Sequence, residues 1–129
     1  MIKSDLNKNI IEGPAGTFFE FSDDNFNGDY LKEEVIDFIK QNRIEKAIIL
    51  EKSEFSPIAV TIKTTNFLKQ VNWLKYLSLI NFQMELKGIQ YLNHIEKLYI
   101  GSTSDEIDFS SNKKLKDLSI TYNKKRNSI

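Results

Sequence analysis

Cysteine is absent from the 129 residues, so disulfides, thiolate-bound metals and a thiol nucleophile are all excluded. Histidine occurs once, at His94, which rules out a metal site built on several imidazoles. No partner motif surrounds His94, and its place beside the apolar Ile95 marks it as a surface coil residue rather than a general base. Net charge is also lacking: 18 basic residues balance 18 acidic ones, so bulk attraction to nucleic acid or to an anionic membrane is not indicated. No apolar run approaches the roughly 20 residues of a membrane span. Lys3, Asp5, Lys8 and Glu12 interrupt the first dozen residues, which therefore show no secretory apolar core and predict a cytoplasmic chain. Glycine is scarce, with five in all. Gly13 and Gly16 are not followed by Gly-Lys-Ser/Thr, so the Gly13-Pro14-Ala15-Gly16 cluster reads as a turn and not as a phosphate loop. No G-x-S-x-G nucleophile elbow occurs.

What is present is 40% hydrophobic and 12% aromatic content, enough for a core in one domain. Between Phe67 and Asn123 an apolar ladder recurs three times. Its copies are Leu68, Val71, Leu74, Leu77, Leu79, Phe82; then Ile89, Leu92, Ile95, Leu98, Ile100, Thr103; then Phe109, Asn112, Leu115, Leu118, Ile120, Asn123. Spacing three gives way to spacing two at the same point in each copy. A helix has no reason to make that switch, whereas a turn leading into a short strand does. The copies are offset by 21 residues from Leu79 to Ile100 and by 20 from Ile100 to Ile120. Both offsets fall in the roughly 20–29-residue period of leucine-rich repeats.

Gly88-Ile89-Gln90-Tyr91-Leu92-Asn93-His94-Ile95-Glu96-Lys97-Leu98-Tyr99-Ile100 resembles one coil of an internalin-type leucine-rich repeat, over somewhat under half of the chain with its neighbours. The resemblance implies an α/β fold: a short leucine-rich-repeat-like solenoid with a parallel sheet, an N-terminal strand and a capping helix. The asparagine that usually follows the strand appears only as Asn123, with Phe82 and Thr103 at the matching places. Irregular coils with variable loops are therefore expected.

The remaining segments are assigned by their own patterns. Residues 1–42 form an N-terminal strand and helix cap, 43–123 the coils, and 124–129 a basic tail. Met1 to Gly16 is a polar lead, and Thr17 to Phe21 reads as a strand. Asp23, Asp24, Asn25, Asn27, Gly28 and Asp29 form an acidic loop whose spacing does not match a calcium loop. From Tyr30 to Asn42 the pattern is helical, with Leu31, Val35, Phe38 and Ile39 on one face and Asp29 placed to cap. Arg43 to Leu50 repeats the strand signature, and Ser56 to Ile62 predicts a further strand.

Parallel strands from successive coils align, so the residues flanking the inward Leu and Ile make an ordered exposed face. That face comprises Tyr76, Ser78 and Ile80; Lys97, Tyr99 and Gly101; and Asp117, Ser119 and Thr121, with Lys46, Ile48 and Leu50 extending it. Tyrosine supplies large contact area with a polar tip, which suits a protein interface. Asp105, Glu106 and Asp108 form the densest carboxylate group. Carboxylates alone can hold Mg²⁺ or Ca²⁺, but a charge-rich loop more often serves solvation. The reading is a protein-binding module, not an enzyme, without cofactor or metal, that binds neither nucleic acid nor membrane. Short proteins of this appearance resemble bacterial immunity proteins, which implies a cognate toxin as partner, with Asp105, Glu106 and Asp108 as further partner-binding residues that join Asp23, Asp24 and Asp29 in an acidic loop set facing a basic toxin active site. The alternatives are an adhesion or signalling module and, less favoured, a carboxylate-dependent enzyme.

Overall fold

The inward Leu and Ile positions do stand side by side. In this computed structural model, which describes residues 6–50, 61–80, 85–103 and 107–122, a six-stranded sheet forms the frame. Its strands are β1 (Ile10–Gly13), β2 (Gly16–Glu20), β5 (Lys46–Leu50), β6 (Tyr76–Ile80), β7 (Lys97–Thr103) and β8 (Asp117–Tyr122), neighbouring one another in that order. The β1–β2 pair is antiparallel and every other pair is parallel. Two two-residue strands, β3 (Phe26–Asn27) and β4 (Tyr30–Leu31), form a separate ribbon, and one helix, α1 (Glu33–Gln41), precedes β5. The sheet is open, with β1 and β8 at its edges, and the architecture is mixed α/β with few helices.

Two rows of side chains cross this sheet on its buried side. The first is Phe19, Ala47, Leu77, Leu98 and Leu118; the second is Ile49, Leu79, Ile100 and Ile120. Leu77 and Ile100 are wholly buried, as are the residues of the connecting turns that back them, among them Leu68, Val71 and Leu74 in one and Ile89, Leu92 and Ile95 in the next. Asn66–Val71 and Lys87–Tyr91 are 3₁₀ turns, which accounts for the spacing of three: one inward side chain per 3₁₀ turn.

Backbone hydrogen bonds recur at matching places. The amide of Leu74 donates to Val71 O, that of Ile95 to Leu92 O and that of Leu115 to Asn112 O. At the foot of each strand, two successive amides converge on one carbonyl of the strand before: Lys75 and Tyr76 on Glu45 O, Glu96 and Lys97 on Lys75 O, Lys116 and Asp117 on Glu96 O. The chain thus closes its polar groups between neighbouring turns, as buried backbone must.

Two polar residues hold the turns together. Thr65 is fully buried; its hydroxyl donates to Glu85 O and accepts from the amide of Gly88. A methyl group on Gly88 would run into the Thr65 carbonyl, so glycine there permits the close approach of the two backbones. Asn112 stands where the preceding copies carry Val71 and Leu92, and its amide nitrogen donates to Ile89 O at 2.9 Å and Leu92 O at 3.0 Å. At the other end, Phe19, Phe21, Phe26 and Phe67 meet edge to face or tilted, with centroids 4.9 to 6.1 Å apart.

Several expectations are corrected here. The polar lead contains a strand: Ile10–Gly13 turns through Pro14-Ala15 and pairs with β2, whose first residue Gly16 takes a positive φ of 116° that glycine adopts without strain. The helix starts at Glu33 and not at Tyr30, since Tyr30 and Leu31 are held as β4 by Phe26 and Asn27; Lys32, not Asp29, occupies its N-cap. Val35 and Ile39 are buried as the helical face requires, and Glu33 and Glu34 lie in the first turn. The strand expected from Ser56 does not include Thr61 and Ile62; its positions 56–60 lie outside the described residues, as do Phe82, Asn123 and the tail. No helix among the described residues is long and apolar enough to cross a membrane.

Candidate functional site

The other side of the sheet is its exposed face. Alternation within each strand sends Tyr76, Ser78 and Ile80 away from the side that buries Leu77 and Leu79. In-register pairing then carries two rows across the sheet. One row is Phe18, Lys46, Tyr76, Lys97 and Asp117, in which Lys46, Tyr76, Lys97 and Asp117 are directly paired and Phe18 precedes the Phe19–Ala47 pair. The second is Glu20, Ile48, Ser78, Tyr99 and Ser119. Leu50 pairs with Ile80, and alternation within β8 puts Thr121 on the side of Asp117 and Ser119.

The first row alternates rings and cations. Phe18 meets Tyr76 edge to face at 5.1 Å, the Lys46 ammonium lies 5.7 Å from the Phe18 ring, and the Lys97 ammonium 5.9 Å from the Tyr76 ring. Lys46 Nζ also donates to Ala15 O, which ties the β1–β2 turn to β5. Lys97 Nζ lies 4.0 Å from Asp117 Oδ2, a solvent-exposed pair that adds little stability but orders the lysine. Tyr99, 38% exposed, leans along its own strand so that a Cβ on Gly101 would come within 3.3 Å of its hydroxyl. Tyr76, Lys97, Leu98, Tyr99, Asp117, Leu118 and Ser119 line an open depression of about 270 Å³. Ile80 is 43% exposed beside it.

Seven of the residues singled out from sequence as partner-binding therefore share this face with Thr121: Tyr76, Ser78, Ile80, Lys97, Tyr99, Asp117 and Ser119. The carboxylate group is not assembled in the same way, since Asp105 and Glu106 lie outside the described residues. Asp108 is exposed and accepts from the Ser110 amide at 2.9 Å, and that bond and the Ser110 hydroxyl hold its carboxyl below the usual range. Of the first acidic loop, Asp23 bonds the amide and hydroxyl of Thr61. Asp24 pairs with Lys8 at 2.7 Å; that hydrogen bond, and the Ser22 hydroxyl next, lower its pKa. These two carboxylates serve local structure. No three His, Asp or Glu side chains converge as metal ligands among the described residues. His94 is exposed, with Nδ1 3.5 Å from Lys114 Nζ.

Phe18 and Glu20 were not anticipated on this face. The alternation in Thr17-Phe18-Phe19-Glu20-Phe21 puts them on one side of a strand, but nothing local says that β2 will pair in parallel with β5. Glu20 is only 9% exposed, and burial raises its carboxyl pKa. Comparison with protein-family models, with curated proteins and with solved structures gives no match.

Proposed function

We propose that the chain is a leucine-rich-repeat-like solenoid whose exposed sheet face binds another protein, and that this partner is a bacterial toxin which the chain neutralises. The observation that carries the binding reading is a rigid parallel sheet that exposes Tyr99 and Ile80 beside the half-buried Tyr76, interleaved with Lys97, Ser78, Asp117 and Ser119. Aromatic rings anchored on strands lose little conformational entropy on binding, and the polar residues between them supply directional hydrogen bonds. The mixed charges favour a protein over a polyanion: Lys97 is already turned to Asp117, and the net charge of the chain is zero. The repeating ladder, the recurrent amide pairs at the strand feet and the in-register leucines support the solenoid reading. The toxin rests on the resemblance of this short chain to immunity proteins.

The test is co-expression with the product of the adjacent gene. The expected result is restored growth, co-purification of the two proteins, and more than about tenfold weaker binding when Tyr76→Ala and Tyr99→Ala are combined. Unchanged affinity in that double variant would remove the face from the interface. Absence of both rescue and binding would remove the toxin.

A further inference from the structure

Asn27 is the one asparagine of the chain that is followed by glycine. It ends β3 and pairs with Tyr30 at the outer end of the β3–β4 ribbon, which leaves Gly28 and Asp29 as the two residues of the turn. Gly28 takes a φ of 71°, which the first position of a two-residue hairpin loop favours and glycine adopts without strain. A Cβ placed there would meet nothing within 4 Å. Asn27, Gly28 and Asp29 are all exposed. Among the described residues neither the Asn27 side chain nor the Gly28 amide makes a hydrogen bond. Other asparagines are held differently. Asn9, Asn25 and Asn112 are buried, Asn42 Nδ2 donates to Phe38 O at 2.8 Å, and the residues that follow these four are the bulky Ile10, Phe26, Lys113 and Arg43. The base of the ribbon is anchored by Phe26, packed on Phe21 and Phe67, and by the buried Leu31. The Asn27-Gly28 tip lies beyond these anchors, and so short a ribbon opens readily at its tip.

We propose that Asn27 is a site of spontaneous covalent modification, converted to isoaspartate through attack by the backbone nitrogen of Gly28. That nitrogen loses its proton to solvent base and bonds to Cγ of Asn27. The Cγ–Nδ2 bond breaks, the side-chain nitrogen takes up a proton and leaves as ammonia, and a succinimide ring remains. Water then adds to one of the two ring carbonyls. Opening of the new Cγ–N bond gives aspartate; opening of the original peptide bond gives isoaspartate, in which the chain runs through the former side chain. Nothing is oxidised or reduced, and water is the only co-reactant. Ring closure needs the Asn27-Gly28 unit to rotate out of its extended shape, which the missing Cβ and the open space around Gly28 permit. The two products have different consequences. Aspartate adds a charge beside Asp29 and keeps the backbone. Isoaspartate inserts an extra carbon into β3, so the Asn27–Tyr30 pair can no longer hold its register. β4 runs straight into Lys32, the N-cap of α1, whose amide donates to Asn25 O at 2.9 Å, and the change therefore reaches the start of the helix. The inference does not depend on the toxin reading.

The experiment incubates the full chain in mildly alkaline buffer made with heavy-oxygen water and maps its peptides by mass spectrometry. The Asn27 peptide is expected to gain the label ahead of every other asparagine peptide, and faster as the pH rises, because the attacking nitrogen must lose its proton. Enzymatic methylation specific for isoaspartate is expected to mark the larger part of the product. Asn27→Gln is expected to stay unlabelled with an unchanged circular dichroism spectrum, since the longer side chain would have to close a larger and much slower ring. The isoaspartate form, separated by ion exchange, is expected to lose hydrogen-exchange protection at the Lys32 amide, whereas Asn27→Asp keeps it. That contrast separates the lengthened backbone from the added charge. An intact Asn27 after another asparagine has converted would overturn the proposal. Label at Asn27 with aspartate as the sole product would mean direct hydrolysis of the side chain and would overturn the ring-closing route. Full protection of Lys32 in the isoaspartate form would overturn the effect on β4 and α1.

Discussion

Glu20 is the residue most at odds with its surroundings. It sits on the exposed face of the sheet yet is only 9% exposed, and its backbone oxygen, not its carboxylate, accepts from Asn9 Nδ2 at 2.8 Å. Burial without a compensating hydrogen bond disfavours the charged form, so the folded-state pKa lies above the usual 4.5. The stability linked to this group is fully present below the unfolded pKa and is lost as the pH rises through the higher folded value. Glu20→Gln removes the charge and keeps the shape. The variant is expected to melt above wild type at neutral pH and together with it at pH values below the usual glutamate range. Thermal unfolding followed across that range checks this; a variant less stable than wild type at neutral pH would show that the carboxylate has a favourable partner. The role of Glu20 was hidden because its burial depends on what packs around β2, whereas Leu77 and Leu98 announce their burial through their own spacing.

At the scale of elements, one repeated pattern meets different surroundings. Leu98 and Leu118 hold equivalent positions in adjacent strands, but β7 lies between two strands and β8 at the edge. Truncating a wholly enclosed leucine removes its transfer energy and leaves a cavity, so Leu98→Ala is expected to cost about 2–5 kcal/mol. Leu118→Ala is expected to cost about 1 kcal/mol or less, since nearly half of its side-chain environment is already solvent. Urea unfolding of the two variants checks the difference. Equal losses would mean that β8 is covered in solution. The ladder made the strands legible in advance, including the face shared by Tyr76, Tyr99 and Ser119. Where the pattern was not self-contained the boundaries moved. Tyr30 and Leu31 have helix-compatible spacing, but Phe26 and Asn27 capture them as a strand; the Leu31 amide also donates to Gln70 Oε1 at 2.8 Å, a partner 39 residues away.

Across the whole molecule, protection should follow position in the sheet. The β5, β6 and β7 strands are paired on both sides, while among the described residues β1 and β8 each have one neighbour. Hydrogen exchange is expected to be slowest in β5 to β7 and faster in β8. Exchange in β8 as slow as in β6 would contradict its place at an edge. The sequence by itself determined the short strands at Leu77–Leu79, Leu98–Ile100 and Leu118–Ile120, their inward side chains and the turn at Gly13 to Gly16, because spacing and turn chemistry are local properties. Only the tertiary structure decided that Ile10–Gly13 is an edge strand, that β2 lies beside β5 with Phe18 and Glu20 on the exposed face, and that Leu118 is half uncovered. Those outcomes depend on which strands become neighbours, and neighbours are chosen by contacts between residues far apart in the chain.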